Sequence, residues 1–181
     1  EERLLSERTN DGASVHVTTP ESEVAQLADA SRAHEPGELG ALACKLYDEN
    51  PNLTEEEAYE AFIGWVESRG IELWPHQEEA LMSIMVGDHV ILGTPTGSGK
   101  SLVALGMHFI AMCFGERSYY TAPIKALVSE KFFNLVDILG RENVGMITGD
   151  VHINTSAPVI CCTEEILANQ ALRARRCPQA T

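Results

Sequence analysis

The chain has 181 residues, 44% of them hydrophobic and 22% charged, and a formal net charge of −14. This is the composition of an ordinary globular domain with one real core, and no apolar run reaches the roughly 20 residues of a membrane span. So acidic a balance argues against a protein that holds nucleic acid through its overall field; any such binding must come from local groups.

The charge is uneven, with 16 acidic and 5 basic side chains in residues 1–70 against 11 and 8 in residues 71–181. The five cysteines, Cys44, Cys113, Cys161, Cys162 and Cys177, are odd in number and lack metal-ligand spacing. They read as reduced, mostly buried thiols of a cytoplasmic protein. Cys161 and Cys162 are adjacent, so on a strand their side chains would take opposite faces. There is no charged-then-apolar leader. Glu1 stands where a Met would begin a chain, which points to a start further upstream.

Residues 1–35 are polar and show no sustained period, so a weakly ordered segment is expected there. Residues 36–70 read as a helical pair. Leu39, Leu42, Ala43, Leu46 and Tyr47 share one helix face, and Asn50-Pro51 ends that helix. Thr54-Glu55-Glu56-Glu57 has the form of a capping box, and Ala58, Ala61, Phe62, Trp65 and Val66 follow at helical spacing. Carboxylates in a first turn suit the helix dipole and need no metal to explain them.

Leu73-Trp74-Pro75-His76-Gln77 then leads into a helical segment through Val86. Two readings stand for it. In one, the Gln77 amide pairs with the two-faced edge of an adenine while Trp74 stacks on the base. In the other, Trp74 packs in the core and Gln77 is exposed.

The most informative stretch is Thr94-Pro95-Thr96-Gly97-Ser98-Gly99-Lys100-Ser101. It lies between a short apolar run, His89–Gly93, and a long one, Leu102–Phe114. Strand, glycine-rich turn, Gly-Lys-Ser and helix form a phosphate-binding loop. The glycines let backbone N–H groups face a polyphosphate, and the helix N-terminus adds partial positive charge. Lys100 supplies a full charge for the β- and γ-phosphates, and the Ser101 hydroxyl is the candidate Mg²⁺ ligand. The implied cofactor is ATP with Mg²⁺. Thr94 departs from the motif, whose first position is normally Gly or Ala.

Beyond the loop, β-rich runs alternate with helical ones. Strands are expected at Val90–Leu92, Ser118–Thr121, Val144–Ile147 and Val159–Cys162. Helices are expected over about 101–114 and 124–139 and from about Glu164. The alternation predicts a P-loop NTPase, recombinase-like α/β fold: a parallel sheet with helices on both faces. Ligands of such sheets bind beyond the strands' C-terminal ends.

Three stretches at those ends carry a family resemblance: Thr121-Ala122-Pro123-Ile124-Lys125-Ala126-Leu127, Val144-Gly145-Met146-Ile147-Thr148-Gly149-Asp150 and Cys162-Thr163-Glu164-Glu165-Ile166-Leu167. With the phosphate loop, and in this order, they resemble the first domain of superfamily-two helicases. The likeness is strongest to the superkiller-type branch of DExH-box RNA helicases and its bacterial relatives, over about Leu73–Leu172. The helical pair is similar to an N-terminal extension in one bacterial branch.

The resemblance implies that Trp74, Gln77 and Thr96–Ser101 bind ATP, with Lys100 and Ser101 in the catalytic site and Ser101 on Mg²⁺. It implies that Pro123 and Lys125, Gly149 and Asp150, and Thr163 and Glu165 face the backbone of a partner strand, RNA or another single-stranded nucleic acid. It further implies an arginine-supplying second helicase domain and a second acidic motif for hydrolysis. No such motif follows here, and 173–181 reads as an Arg-rich tail. The expected division is therefore 1–35, a 36–70 extension, a partial helicase domain over 71–172, and the tail, making an N-terminal fragment inactive in hydrolysis by itself. The alternatives are a non-catalytic P-loop module that holds a protein partner through its acidic helical pair, and a small-molecule kinase, which the Thr-Gly-Asp turn disfavours.

Overall fold

The computed structural model describes residues 37–95 and 98–176. The expected weakly ordered segment 1–35, Thr96, Gly97 and the end of the Arg-rich tail lie outside the described residues.

The helical pair forms as read. Helix α1 is Glu38–Glu49 and α2 is Glu55–Ser68. Thr54 and Glu57 make the capping box reciprocally: the Glu57 N–H donates to Thr54 Oγ1 at 3.2 Å, and the Thr54 N–H to Glu57 Oε2 at 3.0 Å. Helix α3 is Pro75–Met85, with proline at its first position. Helix α4, Lys100–Cys113, is apolar on nearly every side and sits at the centre of the helical layers. Helices α1, α2 and α3 all pack on it. Phe62 of α2 and Phe109 of α4 are fully buried with ring centroids 5.7 Å apart, and each such side chain contributes about 2–3 kcal/mol by leaving water.

Two glycines mark close approaches. A Cβ on Gly106 of α4 would lie 2.5 Å from Leu81 and 2.9 Å from Phe62. A Cβ on Gly40 of α1 would lie 1.7 Å from the Leu139 carbonyl oxygen, so only glycine fits there. The helical pair is thus locked onto the sheet layer, and one continuous core runs from Leu39 and Val66 through α4 to Val159 and Cys161.

The sheet consists of β1 (Ser118–Ala122), β2 (Val144–Ile147), β3 (His152–Ile153) and β4 (Val159–Thr163), in the order β1-β4-β2-β3. Strand β4 pairs in parallel with β1 and β2, and β3 pairs antiparallel with β2. Helix α5 (Lys125–Leu139) lies against β1, β2 and β4. Helix α6 (Glu164–Arg176) covers the opposite face, where Ile166 and Leu167 pack with Ile147, Ile160 and Cys162. Cys161 belongs to one core and Cys162 to the other, as alternation on a strand requires. The α/β class and the parallel sheet with helices on both faces are therefore observed.

The run Val90–Leu92, expected as a strand, departs from the sequence reading: it pairs with no strand among the described residues. Val90 and Leu92 lean on the core, but Ile91 is 95% exposed. The residues alternate as a strand's would, yet a strand exists only with a partner's hydrogen bonds. The two-residue β3 was not expected.

Candidate nucleotide and strand site

The phosphate loop is held from outside itself. Gly99, in the left-handed region with φ 66°, starts α4 and places Lys100 and Ser101 in its first turn. No carboxylate stands in that turn to compete with an incoming phosphate. A lysine at a helix N-terminus opposes the helix dipole. Here its amine donates to the Thr94 carbonyl and, at 3.2 Å, to the Pro95 carbonyl, so the cation lies across the loop that precedes it. Thr94, the departure from the motif, has a role of its own: its hydroxyl shares a 2.5 Å hydrogen bond with Ser98 Oγ and ties the two ends of the loop together.

Helix α3 braces this loop. Gln77 is only 2% exposed. Its Nε2 donates to the carbonyls of Gly99 at 3.1 Å and Ser98 at 3.3 Å, while its Oε1 accepts from the Trp74 N–H at 2.8 Å. One amide thus fastens the start of α3 to the start of α4. His76 Nε2 donates to the same Ser98 carbonyl at 2.9 Å. Trp74 is 57% exposed, its ring edge-on to His76 at 5.8 Å. The reading with Trp74 in the core and Gln77 exposed is inverted: the polar side chain is inside because the loop's carbonyls need its donors. The Trp74 ring stays largely outside.

His76 was missed in the sequence. Its only signal was its place in a first helical turn beside Gln77, upstream of a glycine-rich loop. Ser101 is half-buried and faces a small cavity between α4 and α5, which His108, Tyr120 and Lys131 also line. His108 is 1% exposed, and its Nδ1 bonds Ser118 Oγ at 2.8 Å. Burial holds its pKa down at about 4, so the ring is neutral.

The second cluster lies where β1, β4 and β2 end. Pairing in register puts Ala122 beside Thr163 and Ile147 beside Cys162. Pro123 and Lys125, Thr163 and Glu165, and Gly149 and Asp150 therefore follow the same ends of three adjacent parallel strands. All but half-buried Thr163 are exposed. The Lys125 ammonium meets Asp150 Oδ2 at 2.5 Å. Because β4 lies between β1 and β2, this ion pair passes over the end of β4. Thr148, buried and missed in the sequence, donates from its hydroxyl to Asp150 Oδ1 at 3.1 Å and from its N–H to the Val151 carbonyl at 2.8 Å. The hydrogen bond from Lys125, and then that from Thr148, hold the Asp150 carboxyl below the usual carboxylate range. Among the described residues no helix is long and apolar enough to cross a membrane.

The DEAD/DEAH box helicase family matches residues 74–176, which takes in α3, the loop, the whole sheet and α6. The chain is 37% identical over 93 residues to the probable helicase HelY of Mycobacterium tuberculosis, a stretch covering 51% of this chain and 10% of that protein. It is 39% identical over 93 residues to the chloroplastic DExH-box ATP-dependent RNA helicase DExH15 of Arabidopsis thaliana, covering 51% of this chain and 8% of the relative. It is 38% identical over 104 residues to the antiviral helicase SKI2 of Saccharomyces cerevisiae, covering 56% and 8%. The matched stretches thus span a tenth or less of these relatives' own lengths.

Proposed function

Because this chain belongs to the DEAD/DEAH box helicase family, we propose that it is the part of an ATP-dependent helicase that holds Mg-ATP and one side of an RNA strand. The observation that carries this reading is the shared edge at the ends of β1, β4 and β2. There Lys125, Gly149 and Thr163 offer an ammonium, a backbone turn and a hydroxyl in a row on an otherwise acidic chain. Such groups grip phosphates and sugars irrespective of base sequence, as a moving enzyme requires.

In this reading the loop of Thr96–Ser101 takes the triphosphate. The Lys100 amine exchanges the carbonyls of Thr94 and Pro95 for the β- and γ-phosphates, which relieves its conflict with the helix dipole. The donor set fits a triphosphate: a helix N-terminus, a lysine and two serine hydroxyls, with no carboxylate in the first turn. Bound Mg²⁺ would neutralise phosphate charge with Ser101 as a ligand. Trp74 stacks on adenine. Gln77 reads the adenine edge by exchanging for it the bonds that its amide otherwise makes to the Trp74 N–H and the Ser98 and Gly99 carbonyls, which couples the base to the loop. Pro123, Asp150 and Glu165 complete the strand face. The family match spans residues 74–176, and in a complete helicase hydrolysis draws on a second acidic motif and a second helicase domain as well. The free thiols, three of them buried, fit a cytoplasmic setting.

The test is calorimetric titration of the chain with Mg-ATP, with and without Lys100→Ala, followed by titration with single-stranded RNA. Binding by the wild type that the variant loses supports the reading. Absence of Mg-ATP binding by the wild type would refute it. A parent protein whose hydrolysis is indifferent to a nucleic-acid strand would instead favour the module that holds a protein partner.

A further inference from the structure

Helices α2 and α3 both rest on α4, but their outer flanks stand apart. Between them runs a groove of about 700 Å³ floored by Tyr59, Met82, Met85 and Val86. A second groove of about 510 Å³, lined by Ile84, Met107 and Phe114, meets it at Met85 and Glu55. Met82 is 56% and Val86 75% exposed, so the floor is presented to solvent. Thioether side chains in such a position are adaptable and suit a surface that repacks around a partner.

The rim has one sign. Glu55 and Glu56 line the groove on the α2 side. On α3, Glu78 and Glu79 stand one turn before Met82, on the same flank. The field of Glu78 contributes, after burial, to a raised Tyr59 pKa. Residues 54–88 carry nine carboxylates against a single basic side chain, Arg69. Arg69 does not offset the rim, because its side chain is buried and its guanidinium is bound to Glu38 at 2.7 Å.

An apolar floor with a carboxylate rim is complementary to a helix that is apolar on one face and lysine- or arginine-rich on the other. A second copy of this chain would bring acid against acid at a net charge of −14 each. The geometry points to the α2–α3 groove as a docking site for a basic amphipathic helix of a partner protein. This site is separate from the nucleotide loop and from the strand ends, and it stands whether or not the nucleotide reading does.

The test uses the full chain and a fluorescein-labelled leucine/lysine helical peptide of about 18 residues, roughly five turns, followed by fluorescence anisotropy. Two control peptides have the same composition with scrambled order, and leucine/glutamate in place of leucine/lysine. The expected result is micromolar binding of the amphipathic basic peptide alone. Met82→Asp should weaken it at least about tenfold, the loss expected when a central apolar anchor is removed. Glu55→Gln with Glu56→Gln should weaken it several-fold and flatten its salt dependence. Met82 is exposed, so its variant should fold, as circular dichroism would verify. If it does not, Val86→Asp serves in its place. No binding, equal binding of the scrambled peptide, or indifference to Met82→Asp and Val86→Asp would overturn the proposal. So would sedimentation showing a dimer that Val86→Asp dissociates, since the groove would then belong to a second copy.

Discussion

The phosphate loop and the strand-facing edge lie on the same domain but are secured by different means. The edge is built on backbone: three paired strands fix where Lys125, Asp150 and Thr163 begin, and side chains only finish the turns. The loop follows the unpaired run Val90–Leu92 and is positioned by side chains from another helix, chiefly Gln77, with His76 and Thr94 adding to it. A sheet tolerates a lost surface group, because its ladder remains. A loop fastened by side chains does not: without Gln77 the Ser98 carbonyl keeps only His76 and the Gly99 carbonyl only the Leu102 N–H, and the tie between α3 and α4 weakens. The same chemistry of phosphate contact is therefore robust at one place and fragile at the other.

That contrast can be strained first where the two regions join. His108 of α4 and Ser118 of β1 form a buried tie between the loop's helix and the sheet. The folded-state pKa of His108, about 4, lies below its ordinary 6.5. Its contribution is therefore complete above pH 6.5 and is lost as pH falls toward 4, because the unfolded chain takes up the proton first. A shift of this size corresponds to about 3 kcal/mol over that interval. Urea unfolding of wild type and His108→Gln should show it: the wild type loses stability between pH 6.5 and 4 by about that amount more than the variant. Parallel curves would mean that burial at the junction does not hold the His108 ring neutral.

Next in size is Gln77→Leu, which keeps the bulk but removes three hydrogen bonds. It should cost about 2 kcal/mol in urea unfolding, the scale of buried groups left unpaired, and should weaken Mg-ATP binding while leaving RNA affinity alone. A variant with wild-type nucleotide affinity would show that the loop is not hung on α3.

Much of this organisation was legible in the sequence, because it depends on neighbours in the chain. The Thr54–Glu57 box, the helix periods and the opposite facing of Cys161 and Cys162 are local consequences of spacing. What was not legible depends on partners distant in sequence. Val90–Leu92 has a strand's composition, but pairing is a property of two segments. The sequence left two readings open for Trp74 and Gln77, and the one with Trp74 in the core fails because the Ser98 and Gly99 carbonyls, 21 or more residues away, take the buried Gln77 amide as donor. Thr148 was placed in the Thr-Gly-Asp turn by sequence, but its role as the support of Asp150 depends on the fold of the turn to Val151.

Smaller effects belong to the exposed groups. Lys125→Ala breaks a solvent-exposed ion pair and should change stability by less than about 1 kcal/mol. It should weaken single-stranded RNA several-fold and leave Mg-ATP binding unchanged, so a parallel loss of both would join the two regions that the geometry separates. Trp74→Ala should hardly move the unfolding midpoint, since its ring is exposed. Its effect should appear as a modest loss of ATP affinity relative to triphosphate alone, measured by competition.

The ion pair of Lys125 and Asp150 has one more consequence. In the proposed strand reading, a phosphate that reaches Lys125 would not find a bare cation with a cloud of small anions around it; it would displace a carboxylate that is already in place. The contact is an ion swap, and it sheds fewer mobile ions than a free lysine's would. Its share of the salt dependence should fall short of the nearly one unit of slope that each neutralised phosphate ordinarily brings. In that reading the displaced Asp150 carboxylate, still held by the Thr148 hydroxyl, would repel each settled phosphate and favour its departure, as a strand held briefly and let move on would require.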